Sequence, residues 1–230
     1  MMENKQQAKA SGLSGFFSRV YAYVGLGVGI SALVSYLLST MFVYEYERFL
    51  YSSPFTFWGL WIAQLALVFY LGRSAVKDTP IVKSIIGYVA YSVLTGVTLT
   101  ATLLVYTGET VTSAFITTAV TFGVMAVFGM VTKKDLSGWG HALISMVLGI
   151  IIAMLLNVFI LRSEPVELFI SLVTVVVFAG LTAYDNQKIK ALYYHYGGSA
   201  VQGLAIYCAL MLYLDIINLF LAFLRIFGRD

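Results

Sequence analysis

Seven apolar runs dominate this chain, at about 17–43, 55–72, 81–106, 111–131, 139–161, 166–188 and 200–226. Each is close to the roughly 20 residues that a helix needs to cross a bilayer. They are too long and too continuously apolar to be membrane strands, which alternate over about ten residues. The breaks between them are short, so neighbouring helices should pack antiparallel. Charged residues make up 11% of the chain, against about 25% in a soluble domain. So few charges cannot cover a water-facing surface. The sequence therefore predicts an all-α membrane protein. Residues 1–16 form a cytoplasmic N-terminal tail, too polar at its start for a signal-peptide core, and residues 17–230 form a seven-transmembrane-helix bundle. The one cysteine, Cys208, lies in an apolar run, which excludes an intrachain disulfide and a multi-cysteine metal site.

Lysine and arginine set the expected orientation. Ten of them fall on one side: Lys5, Lys9, Arg19, Arg73, Lys77, Lys83, Lys133, Lys134, Lys188 and Lys190. Four fall on the other: Arg48, Arg162, Arg225 and Arg229. The excess puts the N-terminus in the cytoplasm and, with seven spans, the C-terminus outside. Arg225 and Arg229 conflict with that end, and a re-entrant last segment would remove the conflict.

Several features have structural explanations. Gly25 and Gly29 form a small-xxx-small pair suited to internal helix packing. Tyrosines and tryptophans near the span ends (Tyr44, Tyr46, Tyr51, Trp58, Trp139, Tyr193, Tyr194) fit interfacial belts. Asp135 and Ser137 can cap the fifth span. The amides Gln64, Asn157 and Asn218 are suited to bridging helices.

The chemistry concentrates in two carboxylates. Nine of the eleven acidic residues lie in the tails or polar breaks, and only Asp185 and Asp215 sit within long hydrophobic runs. A charge at the centre of a membrane helix costs about 2.5–3.5 kcal/mol on insertion scales, so such residues face the bundle interior and mark ion or proton sites. If the sixth helix continues through Lys190 to Tyr194, the two carboxylates come level in the cytoplasmic half of the bilayer. Helical spacing places Thr182, Phe178 and Lys188 with Asp185, and Asn218, Met211 and Cys208 with Asp215. Thr182 and Asn218 are thus candidate supporting polar groups. Two poorly solvated carboxylates in contact cannot easily both ionise, and they titrate as a unit. This suggests a proton-controlled site. With a shared proton the pair bonds between helices and closes the path. Without it, like charges repel and a negative cavity admits a cation. Oxygen ligands suit Ca²⁺, in transient contact with Asp185 and Asp215, with carbonyls or water completing its shell.

The plainer reading is that each aspartate satisfies one local hydrogen bond, with Asp185 paired to Lys188 at i+3. Arg73, at the end of the second span, could latch the carboxylates as an ion pair, or could simply snorkel to the interface. Other chemistry is thin. His141 and His195 are far apart, and there is no phosphate-binding glycine pattern and no Ser/His/Asp set. Tyr213-Leu214-Asp215 lacks the Gly-x-Gly-Asp of intramembrane aspartyl proteases. No basic domain points to nucleic acid. The chain reads as a non-enzyme without a cofactor, whose surroundings are a lipid bilayer, protons and Ca²⁺.

Four motifs carry a resemblance. They are Ala183-Tyr184-Asp185-Asn186-Gln187-Lys188-Ile189-Lys190, Leu212-Tyr213-Leu214-Asp215-Ile216-Ile217-Asn218-Leu219-Phe220, Thr132-Lys133-Lys134-Asp135-Leu136-Ser137, and the opening Phe17-Ser18-Arg19-Val20-Tyr21. In these the chain resembles the bacterial branch of the Bax inhibitor-1 (transmembrane BAX inhibitor motif) family, over essentially everything after the tail. The resemblance implies seven helices with the last one central. It also implies a pH-sensitive calcium leak in the bacterial inner membrane, with Asp185 and Asp215 as the proton-sensing pair and Arg73 as the latch. Some bacterial members of the family are instead linked to the membrane protease FtsH as modulators. A regulatory partner without transport activity is therefore the alternative.

Overall fold

The computed structural model describes residues 2–53, 55–74, 80–196 and 203–229. Lys77, Asp78 and Asp230, and the side chains of Glu3, Lys5 and Lys9, lie outside the described residues. The described elements are all helical: α1 (Met2–Thr40), α2 (Val43–Leu50), α3 (Thr56–Ser74), α4 (Ile81–Leu103), α5 (Gly108–Val131), α6 (Ser137–Leu156), α7 (Glu164–His195) and α8 (Leu204–Phe227). Among the described residues, six helices are long and apolar enough to cross a membrane: α1 from Gly12, α4, α5, α6 with its extension to Leu161, α7 and α8. The expected second span corresponds to α3. It runs for 19 residues, Thr56–Ser74. The helix α2 was not expected. Its two turns occupy what reads in sequence as a polar break.

The chain forms two compact units. The first comprises Met1–Val105 with Tyr193–Tyr213. In it α1 and α3 both pack on α4, and α2 contacts α1 and α3. The fully buried Tyr213 sits edge-on to Tyr88 and Tyr91, with ring centroids 5.9 and 5.8 Å away. Its hydroxyl lies 2.6 Å from Ser31 Oγ, which is 2.7 Å from the Ser92 carbonyl and 3.0 Å from that of Gly27. Ser31 directs its one proton to a carbonyl, so Tyr213 is the donor to Ser31. Such satisfaction is required where no water can bind a buried polar group. The close approach in this unit uses Gly27 and Gly96. A Cβ on Gly27 would overlap the Tyr88 hydroxyl, and one on Gly96 would come within 2.8 Å of the Ser31 carbonyl. Gly25 and Gly29, expected to serve internal packing, meet no atom within 4 Å. They lie on the opposite side of α1, and helical phase explains the error. Gln64 does bridge helices as expected, donating to Thr98 Oγ1 at 3.1 Å.

The second unit comprises Tyr106–Leu192 with Leu214–Asp230. Here α6 ends in a π-helical turn, Asn157–Leu161, closed by Arg162 in the left-handed region at φ 47°. Asn157 holds this end. Its carbonyl accepts from Arg162 N (2.6 Å) and its side chain from Ser163 N (3.0 Å). It therefore caps its own helix, where a bridging role had been expected. Asn218 likewise bonds its own helix, donating to the Leu214 carbonyl at 2.8 Å. The last segment forms one helix, α8, continuous to Phe227. Its terminal arginines have neighbours in this unit. Arg225 lies within electrostatic reach of Glu167 and Tyr106, and Arg229 donates to the Glu164 carbonyl. Burial pushes the Tyr106 phenol up, and Glu167 adds to this while both arginines oppose it.

Candidate functional site

The site is built on α7, a 32-residue helix that continues past Lys190 as the level placement of the two carboxylates requires. Glycines bring its neighbours in. A Cβ on Gly129 of α5 would overlap the carbonyl of Ala183, and one on Gly140 of α6 would overlap the Tyr184 ring. Leu143 of α6 packs at 3.2 Å from the Cβ position of Gly180. Each of these contacts falls within five residues of Asp185, so the backbone carrying the first carboxylate is gripped from two helices.

A polar strap holds the same segment. Gln187 Nε2 donates to the Lys134 carbonyl at 2.8 Å, and its Oε1 accepts from Leu136 N at 2.7 Å. Both partners belong to the Thr132–Ser137 motif that joins α5 to α6. Sequence reading treated that motif and the Asp185 motif as separate features, and the chain gives no spacing rule that links them. Within the connection, Asp135 Oδ1 accepts from Ser137 N at 2.9 Å. The Ser137 backbone N–H and hydroxyl hold this carboxyl below its ordinary value. Asp135 thus supports the start of α6 as expected. Ser137, expected to share the capping, is the first residue of the helix and makes no side-chain cap.

Asp185 and Asp215 are both buried, at 8% and 3% exposure, and both belong to the second unit. They lie within electrostatic reach of each other, and Lys188 is within reach of both. The i+3 spacing of Lys188 to Asp185 is therefore used, but it is shared with the second carboxylate. Lys188 Nζ also sits 5.6 Å from the Tyr184 ring centroid, a cation–π distance. Thr182 is fully buried and lies beside the Asp215 carboxyl, while its hydroxyl donates to the Phe178 carbonyl at 2.8 Å. One turn on, Asn186 Nδ2 donates to the Thr182 carbonyl at 2.8 Å. The polar groups of α7 thus direct these donors back along their own helix.

Asp215 Oδ2 is buried without a hydrogen-bond partner. An unsatisfied buried oxygen costs about 1–3 kcal/mol, more if charged, and few buried polar atoms in folded proteins are left so. This oxygen is the least explained polar atom of the described structure on packing grounds. It is therefore the atom to which function is most economically assigned.

Arg73 closes the last turn of α3 with an exposed side chain, in the first unit. Among the described residues, the charged groups that act on each carboxylate include the other carboxylate and Lys188. Among the described residues no group of three or more His, Cys, Asp or Glu side chains gathers. A cation meeting this pair would find two carboxylates, short of the six to eight oxygens that Ca²⁺ takes.

Comparison with known proteins agrees with the architecture. Residues 13–230 match the family described as Inhibitor of apoptosis-promoting Bax1. The chain is 41% identical over 219 residues to an uncharacterised membrane protein of Streptococcus pyogenes serotype M1, covering 95% of this chain and 94% of that one. It is 43% identical over 220 residues to the protein YrjE of Lactococcus lactis, with 96% and 93% covered. It is 40% identical over 223 residues to the inner membrane protein YbhL of Escherichia coli K12, with 95% and 93% covered.

Proposed function

The chain belongs to the Bax inhibitor-1 family, and on that premise we propose that it is a pH-sensitive calcium leak of the bacterial inner membrane, gated by protonation of Asp185 and Asp215. The observation that carries this reading is the buried, unpartnered Asp215 Oδ2 within reach of a second buried carboxylate. Charge counting supplies the switch. Two carboxylates and the Lys188 ammonium are neutral together when they hold one proton and carry one negative charge when they lose it. A neutral cluster is stable in a dry site, whereas a net charge there demands water or a counter-ion. The arriving cation is that counter-ion and the cargo.

Thr182 lies beside the Asp215 carboxyl. Loss of the proton adds like-charge repulsion between α7 and α8. The full fold proposed is seven crossings, with α3 as the second and α8 central. In support, α8 has the largest buried share of the six candidate spans. In this reading the N-terminus is cytoplasmic, and the protein is neither an enzyme nor dependent on a cofactor. The test is Ca²⁺ entry into liposomes that hold only this chain. Entry that depends on both aspartates supports the leak. No entry from a folded sample points to the alternative, a regulatory partner of a membrane protease, which pull-down from membranes then tests.

A further inference from the structure

The first unit carries an open groove that the leak does not use. Its volume is about 360 Å³, and Leu38, Phe42, Phe49, Leu60 and Val97 wall it, with Glu45 among its lining. Volumes of about 300–1,000 Å³ are typical of small-ligand sites. Tyr46 also lines it, 3% exposed. The Tyr46 hydroxyl donates to the Val97 carbonyl at 2.9 Å. Its one polar group is thus spent inside the protein, and the groove is left apolar.

The place of the groove says what can reach it. It lies beside α2, whose two turns are too short to cross a membrane. Tyr44 on α2 and Tyr51 at its end are 73% and 82% exposed, as aromatic residues are at head-group level. Phe42 and Phe49, at its walls, are each about half exposed. An apolar groove opening there meets acyl chains. The same helix presents Glu45 in its first turn and Arg48 in its last, and residues three apart share a helix face. A carboxylate and a guanidinium so placed complement the ammonium and the phosphodiester of a zwitterionic lipid head.

We propose that this groove binds a membrane phospholipid with a primary-ammonium head group. One acyl chain lies in the groove, the ammonium meets Glu45 and the phosphate meets Arg48. A quaternary choline head carries the same charge but no N–H, so it loses the charge-assisted hydrogen bond.

Native mass spectrometry of the purified full chain tests this, after incubation with equal amounts of phosphatidylethanolamine and phosphatidylcholine of identical acyl chains. The expected result is retention of phosphatidylethanolamine over phosphatidylcholine by about threefold, the scale of one exposed ion pair. Glu45→Gln should make the two equal. Val97→Trp, which fills the groove, should abolish both adducts. If that variant melts early, Leu60→Trp on another wall is read in its place. Equal retention by the wild type, or adducts that survive groove filling in a folded variant, would overturn the site.

Discussion

Gly129 of α5 lies so close to the carbonyl of Ala183 on α7 that a methyl group on it would overlap that backbone. Backbone cannot swing aside as a side-chain tip can, so the whole of α5 would have to move. Gly129→Ala should therefore cost about 1–3 kcal/mol, the usual penalty of overpacking. Gly123, on the same helix, has nothing within 4 Å of its Cβ position. Gly123→Ala should leave stability unchanged or raise it slightly, since alanine is the better helix former. Thermal melts of both variants in the same detergent check the contrast.

Gln187 ties α7 to the connection between α5 and α6 through two backbone partners. Gln187→Leu keeps the bulk and removes both bonds. The expected cost is about 1 kcal/mol per lost bond, because the freed groups near the surface can take water. The Leu136 amide should exchange its hydrogen faster in the variant than in wild type, while amides in the middle of α5 keep their protection.

The Asp135 carboxyl is held below its ordinary value by Ser137. A depressed carboxylate contributes stability that is present above its unfolded value, about 3.9, and is lost as pH falls through the depressed one. Acid titration followed by NMR should show Asp135 protonating below the ordinary aspartate range, with the Ser137 amide shifting at the same pH. Ser137→Ala removes the hydroxyl but keeps the N–H bond, so it should reverse only part of the depression.

Lys188 is the counter-charge that both buried carboxylates share. In the proposed leak, Lys188→Met leaves any ionised carboxylate without its compensating neighbour. The proton is then released less readily, and the pH of half-maximal flux should move up by about one unit. A flux–pH profile of the folded variant checks this. An unmoved profile would take Lys188 out of the switch.

Much of this was legible in the sequence, for identifiable reasons. Apolar runs near span length read directly as helices. Asp185 and Asp215 stood out because every other acidic residue lies in a tail or a polar break, and burial within reach of one another followed from their place on successive helices. What was not legible depended on helical phase and on ends. The small-xxx-small spacing of Gly25 and Gly29 is the same whichever way they face, and the packed glycine proved to be Gly27. Asn157 and Asn218 looked like bridging amides because a sequence does not show whether an amide will turn back on its own helix. The α2 helix is too short to leave a span-length signal, and its tyrosines already had an interfacial explanation. The Gln187 strap joins residues more than fifty positions apart, where no local pattern reports the pairing.

The measurement that bears most directly on the proposed gate is Ca²⁺ influx into liposomes that contain only this purified chain, from about pH 6 to 8, a range that brackets a coupled buried carboxylate pair. Folded Asp185→Asn and Asp215→Asn variants are measured beside it. A proton-gated pair predicts flux that rises with pH in wild type and loses its pH dependence in both variants. Flux that ignores pH and is unchanged in Asp215→Asn would contradict it.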